Sequence, residues 1–304
     1  MNKQDKLLLQ QIADLHNIPQ GTYNIRKNGK SIERASTSEI EIVPKKDKDG
    51  IDIIVKPGVV GKSVHIPVII TVGNLTDCVY NDFFVGENAD VTIVAGCGIH
   101  NDTQNASEHN GIHSFHLAKN AKVRYVERHV GTGKGAEKIL NPVTKIKLDK
   151  GAQLTMETHQ LGGVSSSVRK TDATLEEHAK LVVRESILTD SAQTATTTFN
   201  VVLKGKNSSV EVTSRSVAKG TSFQKFVSNI TGKTECFGHV ECDGILLDNA
   251  QIVSVPKIDA KSPDASLVHE AAIGKIAGEQ LTKLTTLGLT QEEAEQVIIE
   301  GFLA

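Results

Sequence analysis

The stretch ENADVTI, residues 87–93, recurs along the chain in a form that points to the fold. Each copy begins with a charged residue, which is usually followed by Asn or Gly. Ala or Ser comes next, and then a polar residue and an apolar residue. The aligned Ala or Ser positions are separated by 32, 31, 27, 29 and 42 residues, and the last interval reads as one turn plus an insertion. The later copies are KNAKVRY (119–125), KGAQLTM (150–156), EHAKLVV (177–183), KNSSVEV (206–212) and DNAQIVS (248–254).

The repeat predicts a corner followed by a strand. Asn and Gly tolerate the left-handed backbone of a tight corner, and the small residue lets the chain turn inward there. The apolar residues that follow alternate with polar ones, as in a half-buried strand. A corner and strand that recur about every 30 residues are typical of a coil of stacked strands, although a β-sandwich with similar hairpins is an alternative.

The two ends of the chain have helical patterns instead. Lys3 to Leu15 predicts a short helix with Leu7, Leu8, Ile12 and Leu15 on one face. From Ser262 the pattern again becomes helical, with a stripe at Ile273, Ile276, Ala277, Leu281 and Leu284. Gly288 suits a helix end, and TQEE at 290–293 is a capping box that opens a second helix with Ala294, Val297 and Ile298 inward. We therefore predict three parts: an N-terminal helical segment (1–22), a β-coil core (23–260) and a C-terminal helical pair (261–304).

Composition narrows the functional classes. The 304 residues are 38% hydrophobic and 23% charged, which suits a folded protein with a sizeable core. A net charge of −2 does not favour nucleic acid or anionic lipid, and the apolar runs are too short for a signal peptide or a membrane span. We expect a cytoplasmic protein with four reduced cysteines. Aromatic residues make up only 4%, with no Trp, which argues against sugar clefts and base-stacking surfaces.

Several short motifs fail on spacing. GKS at 61–63 and GKT at 232–234 would need an earlier glycine where Lys56 and Val227 stand, so neither is a phosphate loop. HEAAI at 269–273 would need a second histidine where Ile273 stands, so it is not a zinc-protease motif. ATP hydrolysis and zinc proteolysis by this chain are therefore not expected.

A histidine-rich stretch, HNGIHSFH at 109–116, is a weaker metal candidate. It contains His109, His113 and His116, with His100 nearby, and imidazoles at this density can bind metal. On a regular strand, however, His113 and His116 face opposite ways. The favoured interpretation is that these histidines lie on the surface or pack within the coil.

A thiol, an imidazole and a carboxylate near the C-terminus form the main candidate site. Cys242 lies in a strand-like run, and His269 and Glu270 follow at the predicted start of a helix. Cys242 alone is most simply a small buried hydrophobe, and Glu270 alone could favour a helix dipole. Together the three groups could ligate iron, and more weakly than four thiolates would hold a cluster. Cys97, Cys236 and His239 are secondary candidates, because Cys236 lies an even six residues before Cys242 and His239 lies close to it.

At these residues the sequence resembles the SufB/SufD family of iron–sulfur cluster assembly scaffolds. The segments that carry the resemblance extend from about Tyr23 onward and are most specific at the C-terminus. They are GHVECD (238–243), HEAAIGKIAGEQL (269–281), LGLTQEEAE (287–295) and IIEGFL (298–303), with AGCGIHN (95–101), NPVTKIKL (141–148) and SRSVAKG (214–220).

The resemblance implies an all-β fold with helical ends, a right-handed parallel β-helix followed by a C-terminal helical pair. It implies that members pair through their β-helices and that the C-terminal helices bind a separate ABC-type ATPase subunit. It also implies that a transient iron–sulfur cluster forms between the paired scaffolds. The family's ligands correspond to Cys242, His269 and Glu270. Because one chain carries all three, a homodimer is expected.

The chain differs from longer SufB members in lacking most of their N-terminal extension, which puts sulfur reception and flavin contact in doubt. The expected function is a scaffold without catalytic turnover that receives sulfur from a donor and passes a cluster to apo-proteins. The alternatives are a β-helix polysaccharide lyase or hydrolase and a metal-free adaptor of an ABC-type ATPase.

Overall fold

The computed structural model describes residues 1–16 and 19–304, which form three helices and twenty strands. The helices are α1 (Lys3–Ala13), α2 (Gly278–Thr286) and α3 (Gln291–Leu303). The strands are β1 (Thr22–Lys27), β2 (Lys30–Ala35), β3 (Ile40–Pro44), β4 (Gly50–Val55), β5 (Val60–Ile70), β6 (Leu75–Val85), β7 (Asp90–His100), β8 (Ser107–Leu117), β9 (Lys122–Thr132), β10 (Lys138–Leu140), β11 (Val143–Leu148), β12 (Gln153–Gln160), β13 (Ser166–Leu175), β14 (Lys180–Thr189), β15 (Thr194–Leu203), β16 (Ser208–Ala218), β17 (Phe223–Gly232), β18 (Cys236–Leu246), β19 (Gln251–Ala260) and β20 (Ala265–Gly274).

Successive strands of the coil alternate between two long sheets. Sheet A has the order β2-β1-β5-β7-β9-β12-β14-β16-β18-β20, and sheet B runs β19-β17-β15-β13-β10-β8-β6-β4-β3, with β11 also between β13 and β8. Pairing is parallel from coil to coil, and among the described strands only β1–β2 and β3–β4 at the N-terminal end are antiparallel. The predicted parallel β-helix is therefore confirmed.

The predicted corners are present at the repeated motif. Asn88, Asn120 and Asn207 have φ values of 56–58°, in the left-handed region that Asn tolerates. The next residue turns inward, and Ala89 and Ala121 are fully buried. The prediction of an insertion before the sixth copy is wrong. DNAQIVS opens β19 in sheet B, whereas the other copies open strands of sheet A, so its interval is one and a half coils.

Inward-facing side chains stack in columns along the solenoid and form its core. Phe83 and Phe115 stack with ring centroids 4.5 Å apart, and Tyr125 meets Phe115 edge-on from the opposite sheet. Smaller Val, Leu and Ala side chains continue the column through later coils. This apolar column holds the two sheets together, since burial of apolar area is the main stabilising term.

Helix α1 covers the outer face of sheet A near its N-terminal end. Leu8 and Ile12 are fully buried there as predicted, but Leu9 is buried in place of Leu7, which is 46% exposed. Gly96 and Gly98 let the helix approach, because a Cβ at Gly96 would lie 2.9 Å from the Ile12 carbonyl oxygen.

The C-terminal region differs from the sequence prediction at its start. Residues 265–274 form the strand β20, not a helix. Leu267 and His269 face inward and alternate with outward residues, and the backbone of β20 pairs with the edge of β18 that would otherwise be open. The helices follow as α2 and α3. The capping box between Thr290 and Glu293 is confirmed, and Gly288 has a φ of +98° just after α2. In α3, Ala294 is buried as expected, but Ile299 is buried in place of Val297.

No helix within residues 1–16 and 19–304 is both long and apolar enough to span a membrane.

Candidate functional site

Cys242 faces the interior of the coil on β18, the next-to-last strand of sheet A. Side chains alternate along β18, so Cys242 shares the inward face with Cys236 and Val240. Its register partners are Ser214 on β16 and Ala271 on β20. Only 5% of Cys242 is exposed. Its thiol therefore sits within the wall of the solenoid, one strand from the end.

The surroundings of Cys242 keep its thiol protonated. Burial raises the pKa of the Cys242 thiol to about 12, and the negative charge of Glu185 acts in the same direction. The Ser254 hydroxyl, on the facing strand, opposes this shift. Because the thiolate is the form that binds metal, ligation by Cys242 must release a proton.

His269 lies on the same inward face, on β20. It is the register partner of Val240, two residues before Cys242. Its Nδ1 is 3.2 Å from the Ser228 hydroxyl oxygen, and its buried Nε2 has no hydrogen-bond partner among the described residues. Burial, helped by the nearby His239, lowers the pKa of the His269 ring. A neutral imidazole with one anchored and one unpartnered nitrogen is the form that ligates a metal.

Glu270 lies on the opposite face of the same strand. Its carboxylate oxygen Oε1 is 2.5 Å from Nε2 of His239, and its side chain is exposed. The strand alternation therefore divides the predicted ligands into an inward pair, Cys242 and His269, and an outward pair, Glu270 and His239. Within the described part of the chain, no three His, Cys, Asp or Glu side chains are already arranged around one metal position.

Strands β19 and β20 are the last strands of their sheets, and each has one strand neighbour among the described residues. Their outer backbone edges are open, and several large apolar side chains on them are exposed. These are Val253, Val255 and Ile258 on β19, and Val268 and Ile273 on β20. Open strand edges bind other strands. The candidate ligands thus adjoin the part of the solenoid best suited to pairing with another chain.

The two secondary cysteines occupy different places. Cys236 is buried on the inward face of β18, as its even spacing from Cys242 predicts, because Gly238 continues the strand without a break. Cys97 is buried on β7, in register with His129, several coils away from Cys242. Burial raises the pKa of the Cys97 thiol well above its usual value.

Sequence reasoning missed a buried polar network in the middle of the coil. Arg169 donates from Nη1 to Glu127 Oε2 at 2.6 Å, and its Nε lies 3.5 Å from Glu185 Oε2. Burial opposes ionisation of the Glu127 carboxyl, but the positive charge of Arg169 holds the pKa of Glu127 well below its usual range. The only available signal was a set of charged residues at inward positions of apolar strands.

The histidines of the 109–116 stretch pack within or against the coil, which is the interpretation that the sequence favoured. His109 Nδ1 lies 3.0 Å from Asp77 Oδ2, and His113 Nδ1 lies 2.8 Å from the Tyr125 hydroxyl. His116 faces outward and stacks on Phe84. The opposite orientation of His113 and His116 is as predicted.

Comparisons with known proteins identify the family. The family model described as SUF system FeS cluster assembly, SufBD core domain, matches residues 78–302. An iron–sulfur cluster assembly SufBD family protein of Methanothermobacter thermautotrophicus (strain Winter) is 32% identical over 235 residues, which are 76% of this chain and 56% of the relative.

Two further relatives carry the same family description. One, from Archaeoglobus fulgidus, is 30% identical over 226 residues, covering 74% of this chain and 60% of the relative. The other, from Methanocaldococcus jannaschii, is 26% identical over 275 residues, covering 86% of this chain and 84% of the relative. The matches to the first two thus span little more than half of each relative's length. With the matched core domain and the parallel coil, they show that the chain belongs to the SufBD family of iron–sulfur cluster assembly proteins.

Proposed function

We propose that this chain is a scaffold on which an iron–sulfur cluster is built at the seam between two copies and then passed to apo-proteins. The observation that carries the proposal is that Cys242 and His269 share the inward face of the last two strands of sheet A. The cluster is the cargo of the scaffold, and the chain performs no catalytic turnover of its own. We place this activity in the cytoplasm.

Two copies are needed because one copy presents too few ligands. Cys242 and His269 supply one sulfur and one nitrogen, and Glu270 lies on the other face of β20. A homodimer joined at the open ends of the solenoids would bring two such sets together. Because neighbouring residues of a strand point to opposite faces, Glu270 would reach the inward site only if β20 slipped by one residue, and that slip would turn His269 outward. Mixed ligands of this kind hold a cluster less firmly than four thiolates, which suits transfer.

The C-terminal helices are the proposed docking site for a separate ABC-type ATPase subunit. Helix α2 has no buried residue in this chain, and Leu287 after it is 80% exposed. The end of α3 is anchored instead: Ser186 donates to the Leu303 carbonyl oxygen at 3.0 Å, and Arg215 donates to that of Phe302 at 3.1 Å. Arg215 is the register partner of Asp243 on β18. A movement of α3 would therefore be transmitted through Arg215 to the strand that carries Cys242.

Anaerobic reconstitution of the purified full chain with ferrous iron and sulfide tests the proposal. We expect visible absorbance from a bound cluster, strongly reduced in Cys242→Ser and in His269→Ala. The control is Cys78→Ser, because Cys78 lies on β6 and is not among the candidate ligands. If Cys242→Ser retained the full absorbance, Cys242 would not be a ligand. If no variant or condition gave a cluster while the ATPase still bound, the metal-free adaptor would be the better description.

A further inference from the structure

A cleft at the N-terminal end of the solenoid is lined mainly by cationic side chains. It has a volume of about 260 Å³ and lies between the β1–β2 hairpin, the segment joining β3 to β4, and β6. Five basic residues line it, whereas Asp49 is the acidic residue on its wall. The basic residues are Arg26, Lys30, Arg34, Lys45 and Lys48. Most of this lining precedes residue 78, where the match to the SufBD core domain begins.

The floor of the cleft is a fixed guanidinium. Arg26 is only 6% exposed, and its Nε and Nη2 donate to the Asp77 carboxylate at 3.1 and 2.7 Å. Asp77 is held in turn by His109, whose Nδ1 lies 3.0 Å away. Because both sides of this pair are buried and hydrogen-bonded, the Arg26 side chain is oriented before any ligand arrives.

Two side-chain donors on the cleft wall have no acceptor among the described residues. Nη1 of Arg26 makes no hydrogen bond to any described residue, since the bonds to Asp77 use Nε and Nη2. Asn24, also 6% exposed, accepts from the Ser31 hydroxyl through Oδ1 at 2.6 Å, and its Nδ2 has no acceptor among the described residues. Neither atom is fully buried, so both can donate to a ligand with acceptor oxygens in the cleft.

The cations on the wall divide into paired and unpaired groups. Lys45 is bound by Asp52 and Asp82, and Arg26 by Asp77, with Asp49 3.6 Å from its Nη2. The exposed Lys30, Arg34 and Lys48 form no ion pair with any described residue. Lys48 instead lies 4.5 Å from the centre of the Tyr80 ring. Three unpaired cations beside two donors that have no acceptor among the described residues favour an anion with more than one negative charge.

We propose that this cleft binds a small multivalent oxyanion, a phosphate-bearing compound or a polycarboxylate. The guanidinium of Arg26 and the amide of Asn24 bind its oxygens at the floor, and Lys30, Arg34 and Lys48 surround its remaining charge. The site lies at the opposite end of the solenoid from Cys242. It is therefore independent of the proposed cluster chemistry.

Isothermal titration of the full chain with sodium phosphate, sodium pyrophosphate and sodium citrate tests this, with sodium chloride at equal ionic strength as the blank. Lys30→Ala/Arg34→Ala removes two exposed rim cations without touching the buried floor. Lys225→Ala/Lys233→Ala is the matched control, because both are exposed lysines without an ion pair among the described residues, elsewhere on the solenoid. Thermal unfolding without added anion checks that both variants fold.

We expect saturable binding of at least one anion, weakened roughly tenfold or more in Lys30→Ala/Arg34→Ala and unchanged in the control. Binding of pyrophosphate or phosphate but not citrate would identify a phosphate-bearing ligand, and the reverse a polycarboxylate. The proposal would be overturned if the heats of binding were no larger than those with chloride. It would also be overturned if both double variants lost affinity for the anion to the same extent. A general rise in melting temperature is not support, because phosphate and citrate stabilise most proteins without binding to a site.

Discussion

His269 pairs with Val240, two residues before Cys242, so that the imidazole and the thiol face the same interior from adjacent strands. This relationship follows from two continuous parallel strands that keep their alternation over eleven and ten residues. Both groups are electrically neutral at neutral pH, since burial raises the pKa of Cys242 to about 12 and lowers that of His269. An incoming metal ion therefore meets no negative charge on these two ligands and must displace the thiol proton.

The first prediction concerns the ionisation of Cys242. Alkylation of Cys242 by iodoacetamide in the folded chain should still accelerate as the pH rises above about 9, because the thiolate fraction is small below the raised pKa. Peptide mass spectrometry resolves Cys242 from the other three cysteines. The control is the same reaction in concentrated urea, where the rate should level off above the ordinary thiol pKa of about 8.5.

The raised pKa of the Cys242 thiol also makes the free energy of unfolding depend on pH. A thiol whose pKa is raised by folding favours the folded state fully below the unfolded pKa, and this contribution is lost as pH rises toward about 12. Cys242→Ser should therefore make the free energy of unfolding less dependent on pH in the alkaline range. Identical alkaline pH profiles for the two proteins, together with a folded-state rate that levels off near pH 8.5, would contradict the burial argument.

The sequence was informative where one local rule fixes the structure. Asn88 and Asn120 mark corners because a positive φ is costly for most other residues, and the capping box at Thr290 marks the start of α3 because it is a short-range hydrogen-bond pattern. Such features do not depend on distant parts of the chain.

Prediction from the sequence was wrong where contacts with distant parts of the chain decide the local structure. Residues 265–274 have apolar spacings that fit a helix, but the open edge of β18 recruits them as a strand. That assignment places His269 and Glu270 on opposite faces, whereas a helix start would have kept them near each other. Arg169 was missed because an inward-facing charge has no local signature, and only the fold brings it to Glu127.

The second prediction uses that buried pair. Arg169→Met should lower the free energy of unfolding by about 3–5 kcal/mol, because it leaves the buried Glu127 carboxylate without its cation. The control is Lys150→Ala, which removes the exposed ion pair with Glu177 and should change stability by about 1 kcal/mol or less. Urea unfolding followed by circular dichroism measures both. Equal effects of the two substitutions would show that the Arg169 network contributes no more than a surface pair.

The third prediction concerns the open ends of the solenoid. Val268→Lys places a charge on the outer face of the edge strand β20, where exposed lysine opposes pairing between strands. We expect the wild-type chain to sediment as a dimer and Val268→Lys as a monomer. The control is Val168→Lys, because Val168 is also exposed (53%, against 44% for Val268) but lies on β13, which has strands on both sides.

The dimer and the cluster should also be lost together. If two copies supply the ligands, Val268→Lys should reduce the iron and sulfide bound per chain after reconstitution, although Cys242, His269 and Glu270 are all intact. Raising the protein concentration should restore both quantities in parallel, since association depends on concentration. A monomeric wild-type chain that still binds a full cluster would place all the ligands within one copy and remove the need for the seam.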